Sequence, residues 1–134
     1  MTFEKIVPAT RDARGRISDI LYGTEIHHVA IIESDGAGII RGNHYHKDTV
    51  QRIFVVKGSL RYWYQPLSRN EAVQSIVVCE YEMVTTPPNE IHALEILENN
   101  QFVVFSTGRR GGRDYESDTF RVDPILTPDM VRVR

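Results

Sequence analysis

Apolar residues in this chain never keep the i, i+3, i+4, i+7 spacing of a long amphipathic helix; they come in short runs of strand length, each closed by residues that turn the backbone. The pattern predicts a mostly β protein. Strands are expected over Glu25–Glu33, Gly38–Tyr45, Val50–Lys57, Ser59–Gln65, Val73–Glu80, Met83–Thr86, His92–Leu97 and Gln101–Thr107. The segments between them, SDGAG, KGS, PLSRNE, PPNE and ENN, supply the Gly, Asn, Asp and Pro that tight turns need. So many short strands in 134 residues, a length suited to one domain spanning residues 1–134, point to two facing sheets closed into a jelly-roll barrel. Closure removes the exposed strand edges that invite aggregation. A sandwich of another topology is the alternative.

Charge and cysteine usage narrow the classes of partner. The formal net charge is -2, with acids and bases interspersed, so the basic stripe that a phosphate backbone demands is missing and nucleic acid is not an expected partner. Apolar runs are far too short for a membrane span, and the first residues, MTFEKIVPATRDARGR, lack the apolar run of a signal peptide; a cytoplasmic location is expected. Cys79 is the only cysteine, in an apolar stretch where a buried, inert thiol is expected. The stretch RRGGRDYESDTFRVDP, rich in glycine and charge, reads as an irregular tail that covers the barrel mouth or packs on a second subunit.

Chemistry concentrates in RGNHYHKDTVQRIFVVKG. His44 and His46 are two apart, which on a strand points both imidazoles to one face and Tyr45 to the other. Gln51 opens the next apolar strand, where a tight return brings its amide beside the pair. In TTPPNEIHAL, two prolines and Asn89 form a rigid turn that delivers His92 onto a further strand. If that strand faces the first pair, three imidazoles and one amide converge. Such a donor set suits divalent zinc, iron, manganese or nickel, and copper. A His-x-His pair alone is also what a solvated strand face looks like.

The complete pattern, G-x5-H-x-H-x4-Q-x6-G followed by P-x-N-x2-H, resembles the two motifs of the cupin superfamily over about residues 38–96. The resemblance implies an all-β double-stranded β-helix whose inward histidines form the working site. Gln51 stands where metal-binding cupins place glutamate, and a neutral amide is a weaker ligand than carboxylate, so no obligatory metal is predicted. Asn89 replaces a glycine, a mild change because asparagine tolerates the left-handed conformation. HYHKDTVQ and DARGRI look like segments of the nucleotide-linked sugar 3,4-ketoisomerases. RGNHYH and SDTFRV resemble the cupin domain of capsular polysaccharide biosynthesis proteins, and RG-x-H is similar to the dTDP-4-dehydrorhamnose 3,5-epimerases. Ile91 stands where ketoisomerases carry an aromatic residue, and Gln51 where the epimerases carry a catalytic lysine.

The resemblance implies an isomerase or epimerase acting on a dTDP- or UDP-linked 4-keto-6-deoxysugar through an enediol, with His44 and His46 as acid and base. Imidazole suits both steps, since its ordinary pKa near 6.5 makes neutral and charged forms accessible. Arg41 is the nearest cation to a developing enediolate, but strand parity turns it away from His44 unless a bulge, which Gly42 permits, intervenes. Tyr62 and Tyr64 share one face of LRYWYQ and Trp63 the other, so one side offers rings for stacking on a base or sugar; Tyr62 and Tyr64 are taken as substrate contacts beside Gln51 and His92. Of His27 and His28 at most one can enter the barrel, and core or surface placement is expected for them; Lys47 is expected to point outward. Two other readings compete: a metal-dependent dioxygenase or lyase with His44, His46 and His92 as ligands and Gln51 as a fourth, and a non-catalytic cupin that binds a sugar. A homodimer is expected from the frequency of two-fold dimers.

Overall fold

The computed structural model describes residues 1–108, 110–114 and 116–132. Its strands are β1 (Thr2–Lys5), β2 (Thr10–Asp12), β3 (Gly15–Ile17), β4 (His28–Ser34), β5 (Ile40–Tyr45), β6 (Gln51–Lys57), β7 (Leu60–Pro66), β8 (Gln74–Val78), β9 (Glu82–Thr86), β10 (Glu90–Ile96), β11 (Asn100–Ser106) and β12 (Phe120–Arg121), with a 3-10 turn over Gly112–Asp114 and a short α-helix, α1 (Pro128–Arg132). Two five-stranded antiparallel sheets face each other, ordered β1-β9-β6-β11-β4 and β12-β5-β10-β7-β8, while β2 and β3 form a separate hairpin. This is the expected jelly roll. All eight expected strands are present; the largest displacement of an end is at β4, expected from Glu25 and beginning at His28.

Alternation builds the core. In β11 residues Asn100, Phe102, Val104 and Ser106 are buried while the residues between them are half-exposed, the period of two that a sheet with one inward face requires. Phe102, Val55, Leu60, Val84 and Ile96 meet between the sheets with essentially no exposure, each side chain contributing about 1.5–3 kcal/mol of apolar burial. A second cluster, Ile91, Ala93, Ile125 and Leu126, covers the outer face of β10 with the segment that precedes α1.

One irregularity positions the site. β5 and β10 pair His44 with His92, but the next step pairs Gly42 with Ala93, so β5 carries an extra residue, Asn43. Asn43 has φ 61° and Gly42 φ 93°, conformations that asparagine and glycine adopt at the least cost. The Asn43 side chain holds the bulge open: Oδ1 accepts from the N–H of Ile125 and Leu126 at 3.0 and 3.1 Å, and Nδ2 donates to the Leu126 carbonyl at 3.0 Å. The extra residue reverses strand parity, so Arg41 and His44 face the same interior.

The short elements β1, β2, β3, β12 and α1 have no counterpart among the expected elements. β2 and β3 are exposed throughout, so no apolar alternation marks them, and β12 is too short to show a period. Cys79 corrects an expectation: the thiol is exposed, because the strand ends at Val78 and the chain turns there. Within the stretch expected as a tail, β12 packs on β5 of its own chain, pairing Phe120 with Tyr45 and Arg121 with His44; Arg109 and Tyr115 of that stretch lie outside the described residues. Among the described residues no helix is long and apolar enough to cross a membrane.

A Cβ added at Gly42 would lie 2.9 Å from the His92 carbonyl oxygen and 3.1 Å from Ala93 Cα, on top of a positive φ. Gly42→Ala is therefore expected to cost about 2 kcal/mol or more in urea denaturation. A midpoint equal to wild type would show that β5 accommodates the methyl group and that the close approach is not what shapes the bulge.

Candidate active site

β5, β6 and β10 bring the expected residues to one end of the barrel. The ring centroids of His44 and His46 are 4.9 Å apart, those of His44 and His92 4.7 Å, and those of His46 and His92 5.2 Å. His44, Gln51 and His92 line a cavity of about 130 Å³ between the sheets, together with His28, Ser106 and Arg110. Its remaining wall is apolar, with Ala30, Ile53, Leu94 and Phe102, and Arg41 lies on its rim. The Arg41 guanidinium donates to Ser34 Oγ at 3.1 Å and to the Glu33 carbonyl at 3.2 Å, which fixes its charge beside the end of β4.

The two histidines of the pair are not equivalent. His44 lines the cavity, and its Nδ1 is buried with no hydrogen-bond partner among the described residues. His46 has no exposure at all and lies behind Gln51. Its Nδ1 is 2.6 Å from the Asp118 carbonyl oxygen, which can only accept, so that nitrogen carries a proton; its Nε2 is 3.1 Å from the Gln51 amide. Asp118 also caps the turn after the pair: its carboxylate accepts the N–H groups of Lys47, Asp48 and Thr49 at 2.9, 2.9 and 2.8 Å. Partial burial opposes ionisation of that carboxyl, but the three donors outweigh it and bring its pKa down to about 2.

Burial keeps the imidazoles neutral. It pushes the His44 pKa down to about 3, helped by charge on His46, Arg121 and Arg110. Burial also lowers His46, against the hydrogen bond to the Asp118 carbonyl, and takes His92 well below its ordinary value, with His44 and His46 adding to the effect. Nδ1 of His92 lies 3.2 Å from the Glu90 carbonyl, which directs the other ring nitrogen away from that strand.

Other expected contacts fall differently. Arg41 reaches the cavity because the Asn43 bulge supplies the needed parity change. Tyr62 and Tyr64 do not line the cavity, which corrects their assignment as substrate contacts. Tyr62 is fully buried, its hydroxyl 2.7 Å from Thr86 Oγ1 and donating to Glu90 at 3.0 Å, with its ring parallel to His92; Tyr64 packs against the same core. A phenol so placed supports the histidines from below, and burial raises its pKa well above the ordinary value. Trp63, on the opposite face, donates to Glu95. Lys47 points outward with its ammonium 4.4 Å from the Phe120 ring centroid. His28 is the one of its pair that enters, contrary to the expected core or surface placement, while His27 pairs with Glu25 at the surface. Alternation with Ala30 and Ile32 could have revealed His28. Arg110 and Asp118 belong to an irregular segment that carries no periodic signal.

The donor set fits a divalent cation in kind: the three histidines offer nitrogens all within 4.8 Å of one another, and neutral imidazoles have lone pairs to give. His46 would have to exchange its Gln51 contact for the ion.

The chain matches the model of the polysaccharide biosynthesis C-terminal domain family over residues 10–120. It belongs to that family. No curated protein matches it significantly. Among solved structures, members of this fold include a sugar 3,4-ketoisomerase from Thermoanaerobacterium thermosaccharolyticum in complex with TDP, at TM-score 0.74 and 19% identity, covering 99% of this chain and 95% of that one. A dTDP-4-dehydrorhamnose 3,5-epimerase from Sulfolobus tokodaii aligns at TM-score 0.69 and 18% identity, over 92% and 78% of the two chains. The capsular polysaccharide assembling protein CapF from Staphylococcus aureus aligns at 0.64 and 19%, over 88% of this chain and 34% of that one. Together they establish for this family member the cupin barrel that its two motifs imply.

Neutral buried imidazoles make stability depend on pH. The unfolded chain protonates its histidines near pH 6.5, whereas His44 resists until about 3, so between those values the unfolded state binds more protons and stability falls as pH falls. The urea midpoint is expected to be level above about pH 7 and to decline steadily below about 6.5, less steeply in His44→Gln. A midpoint unchanged from pH 7 to 5 would mean that the folded cluster takes up protons as readily as free histidine.

Proposed function

We propose that the protein is an isomerase or epimerase of nucleotide-linked 4-keto-6-deoxysugars. The observation that carries this reading is a neutral, cavity-facing His44 beside His92 and Gln51, with the cations Arg110 and Arg41 on the same cavity. The family's connection with polysaccharide biosynthesis and the likeness to sugar-nucleotide isomerases support it.

His44 takes the proton from the carbon beside the ketone. Electrons of that C–H bond form the carbon–carbon double bond of an enediolate, and the former carbonyl oxygen takes a proton. Return of a proton to the former carbonyl carbon, as the hydroxyl on the deprotonated carbon gives up its own, moves the ketone one position along; return to the original carbon from its opposite face, as the former carbonyl oxygen gives back its proton, inverts that carbon. Ketone and alcohol exchange within one molecule, so no redox cofactor is consumed. Burial that lowers the basicity of free His44 also guarantees its neutral form at working pH. An anionic substrate raises that basicity at the moment of transfer. Gln51 and Arg110 stand where the enediolate oxygen needs donors, and Arg41, tied to the end of β4, suits the diphosphate better than the reacting carbons. His46 takes part from behind Gln51.

TDP-4-keto-6-deoxyglucose, the compound bound in one solved 3,4-ketoisomerase, is the first substrate to supply. Proton NMR in deuterated water is expected to show deuterium entering beside the ketone and a rearranged or epimerised sugar, with His44→Asn slower by about 10²–10⁴-fold. Neither exchange nor turnover across a panel of TDP- and UDP-linked 4-keto sugars would overturn the proposal.

The three-histidine cluster favours one second reading, a metal-dependent cupin enzyme. A divalent cation held by His44, His46 and His92 would supply a Lewis acid for a substrate oxygen. Activity indifferent to chelator is expected; loss with chelator and return with one metal would replace the first reading by the second.

A further inference from the structure

We infer that Asp118, outside the barrel, decides which way the Gln51 amide points inside it: its main-chain oxygen, 2.6 Å from His46 Nδ1, keeps the His46 proton on that nitrogen, and the bare Nε2 makes Gln51 the donor. Asp118 is a positioning residue in this scheme. It touches no substrate.

The argument begins with what each group can give. A carbonyl oxygen only accepts, so His46 must donate through Nδ1. In a ring with no exposure to water a second proton on Nε2 would leave a buried imidazolium, whose desolvation is costly. The ring is then singly protonated and Nε2 presents a lone pair 3.1 Å from the Gln51 amide. Two acceptors cannot face each other at that distance, so the –NH₂ end of Gln51 must be the end that meets His46. The oxygen and nitrogen of a carboxamide are related by a half-turn about the last bond, which places the Gln51 oxygen toward Ser106 Oγ, 3.4 Å from that end of the amide. Ser106 donates to Gln51, Gln51 to His46, and His46 to Asp118. Each link of this line is ordered by the last.

Asp118 is held in place for that task by its own side chain. Its carboxylate takes the three successive N–H groups of Lys47, Asp48 and Thr49, the residues that follow His46 directly, so the carbonyl cannot drift from the ring without breaking three charge-assisted bonds. Two residues further on, Phe120 stacks on Tyr45 at 5.3 Å and takes the Lys47 ammonium on its ring. The line also gives a physical reason for glutamine at position 51: a carboxylate there has no hydrogen to offer a lone pair.

The importance of this order for turnover rests on the cavity being the catalytic site proposed above, but the order itself is read without substrate. Long-range proton–nitrogen NMR of the ¹⁵N-histidine-labelled full chain, kept in EDTA at neutral pH, reports which ring nitrogens carry protons; the His46 signals are identified by their loss in His46→Gln. Wild type is expected to show His46 protonated on Nδ1 alone. Asp118→Ala is expected to show both tautomers and a kcat lowered about tenfold with KM changed by less than about threefold, the signature of a misplaced proton rather than lost binding. Asp118→Asn, which keeps a side-chain oxygen to accept from the turn and so anchors the carbonyl, should restore the single tautomer. A wild-type ring protonated on Nε2 or on both nitrogens overturns the inference, as does a folded Asp118→Ala ring that keeps the Nδ1 tautomer alone. The wild-type spectrum decides even if Asp118→Ala fails to fold, and a wild type with the expected tautomer but no activity on keto sugars would sink only the proposed function.

Discussion

An extra residue in β5 governs the geometry of the whole cavity. On a regular strand Arg41 and His44 would point to opposite faces, and the cavity would lose the cation that β5 contributes to it. Asn43 removes that conflict by taking a left-handed conformation, and its side chain binds Ile125 and Leu126 from outside the sheet. The bulge is thus held by groups far along the chain. Gly42, next to it, lets β5 approach His92 and Ala93 more closely than any residue with a Cβ could. Local strain at two residues and a distant segment of chain are parts of one device, which sets where a charge and an imidazole stand relative to each other.

Placing three imidazoles in so dry a site is costly to the fold, and the surroundings show how the cost is met. Each ring stays neutral, because a proton would bring charge into a region where it is poorly solvated and would repel the cations Arg110 and Arg121. Neutral rings still need partners for their N–H groups. His46 finds Asp118 and His92 finds the Glu90 carbonyl, whereas one nitrogen of His44, on the cavity side of the cluster, finds none among the described residues. The unsatisfied group is in the ring that faces the cavity, which is where an incoming ligand can best repay it. Tyr62 beneath His92 completes the support, its hydroxyl engaged by Thr86 and Glu90 so that the phenol can be buried without penalty.

The tail explains why the two histidines of one motif stand in different surroundings. β12 adds to the edge of the second sheet beside Tyr45 and His44, and Asp118 reaches over to the turn that follows His46. One ring is thereby enclosed and fixed in tautomer while the other is left on the cavity wall. A period of two in the sequence places both on the same face, but it carries no information about which will be covered.

The sequence by itself determined the barrel, because alternation and turn chemistry are local: strands such as Gln51–Lys57 and Asn100–Ser106 can be read from their own residues, and His44, His46, Gln51 and His92 converge once those strands close. It also located the condition on which Arg41 depends, a bulge at Gly42, without being able to say that the condition is met. Tertiary structure decided the rest. Tyr62 went to the core and Tyr64 packs against it because β7 lies beyond β10 from β5 in its sheet and contributes no side chain to the cavity, a matter of sheet order and not of strand pattern. Cys79 became exposed because β8 stops one residue before it. Arg110 and Asp118 joined the site from an irregular segment, by virtue of where the finished fold leaves it; their contacts span tens of residues, and no local periodicity records such distances.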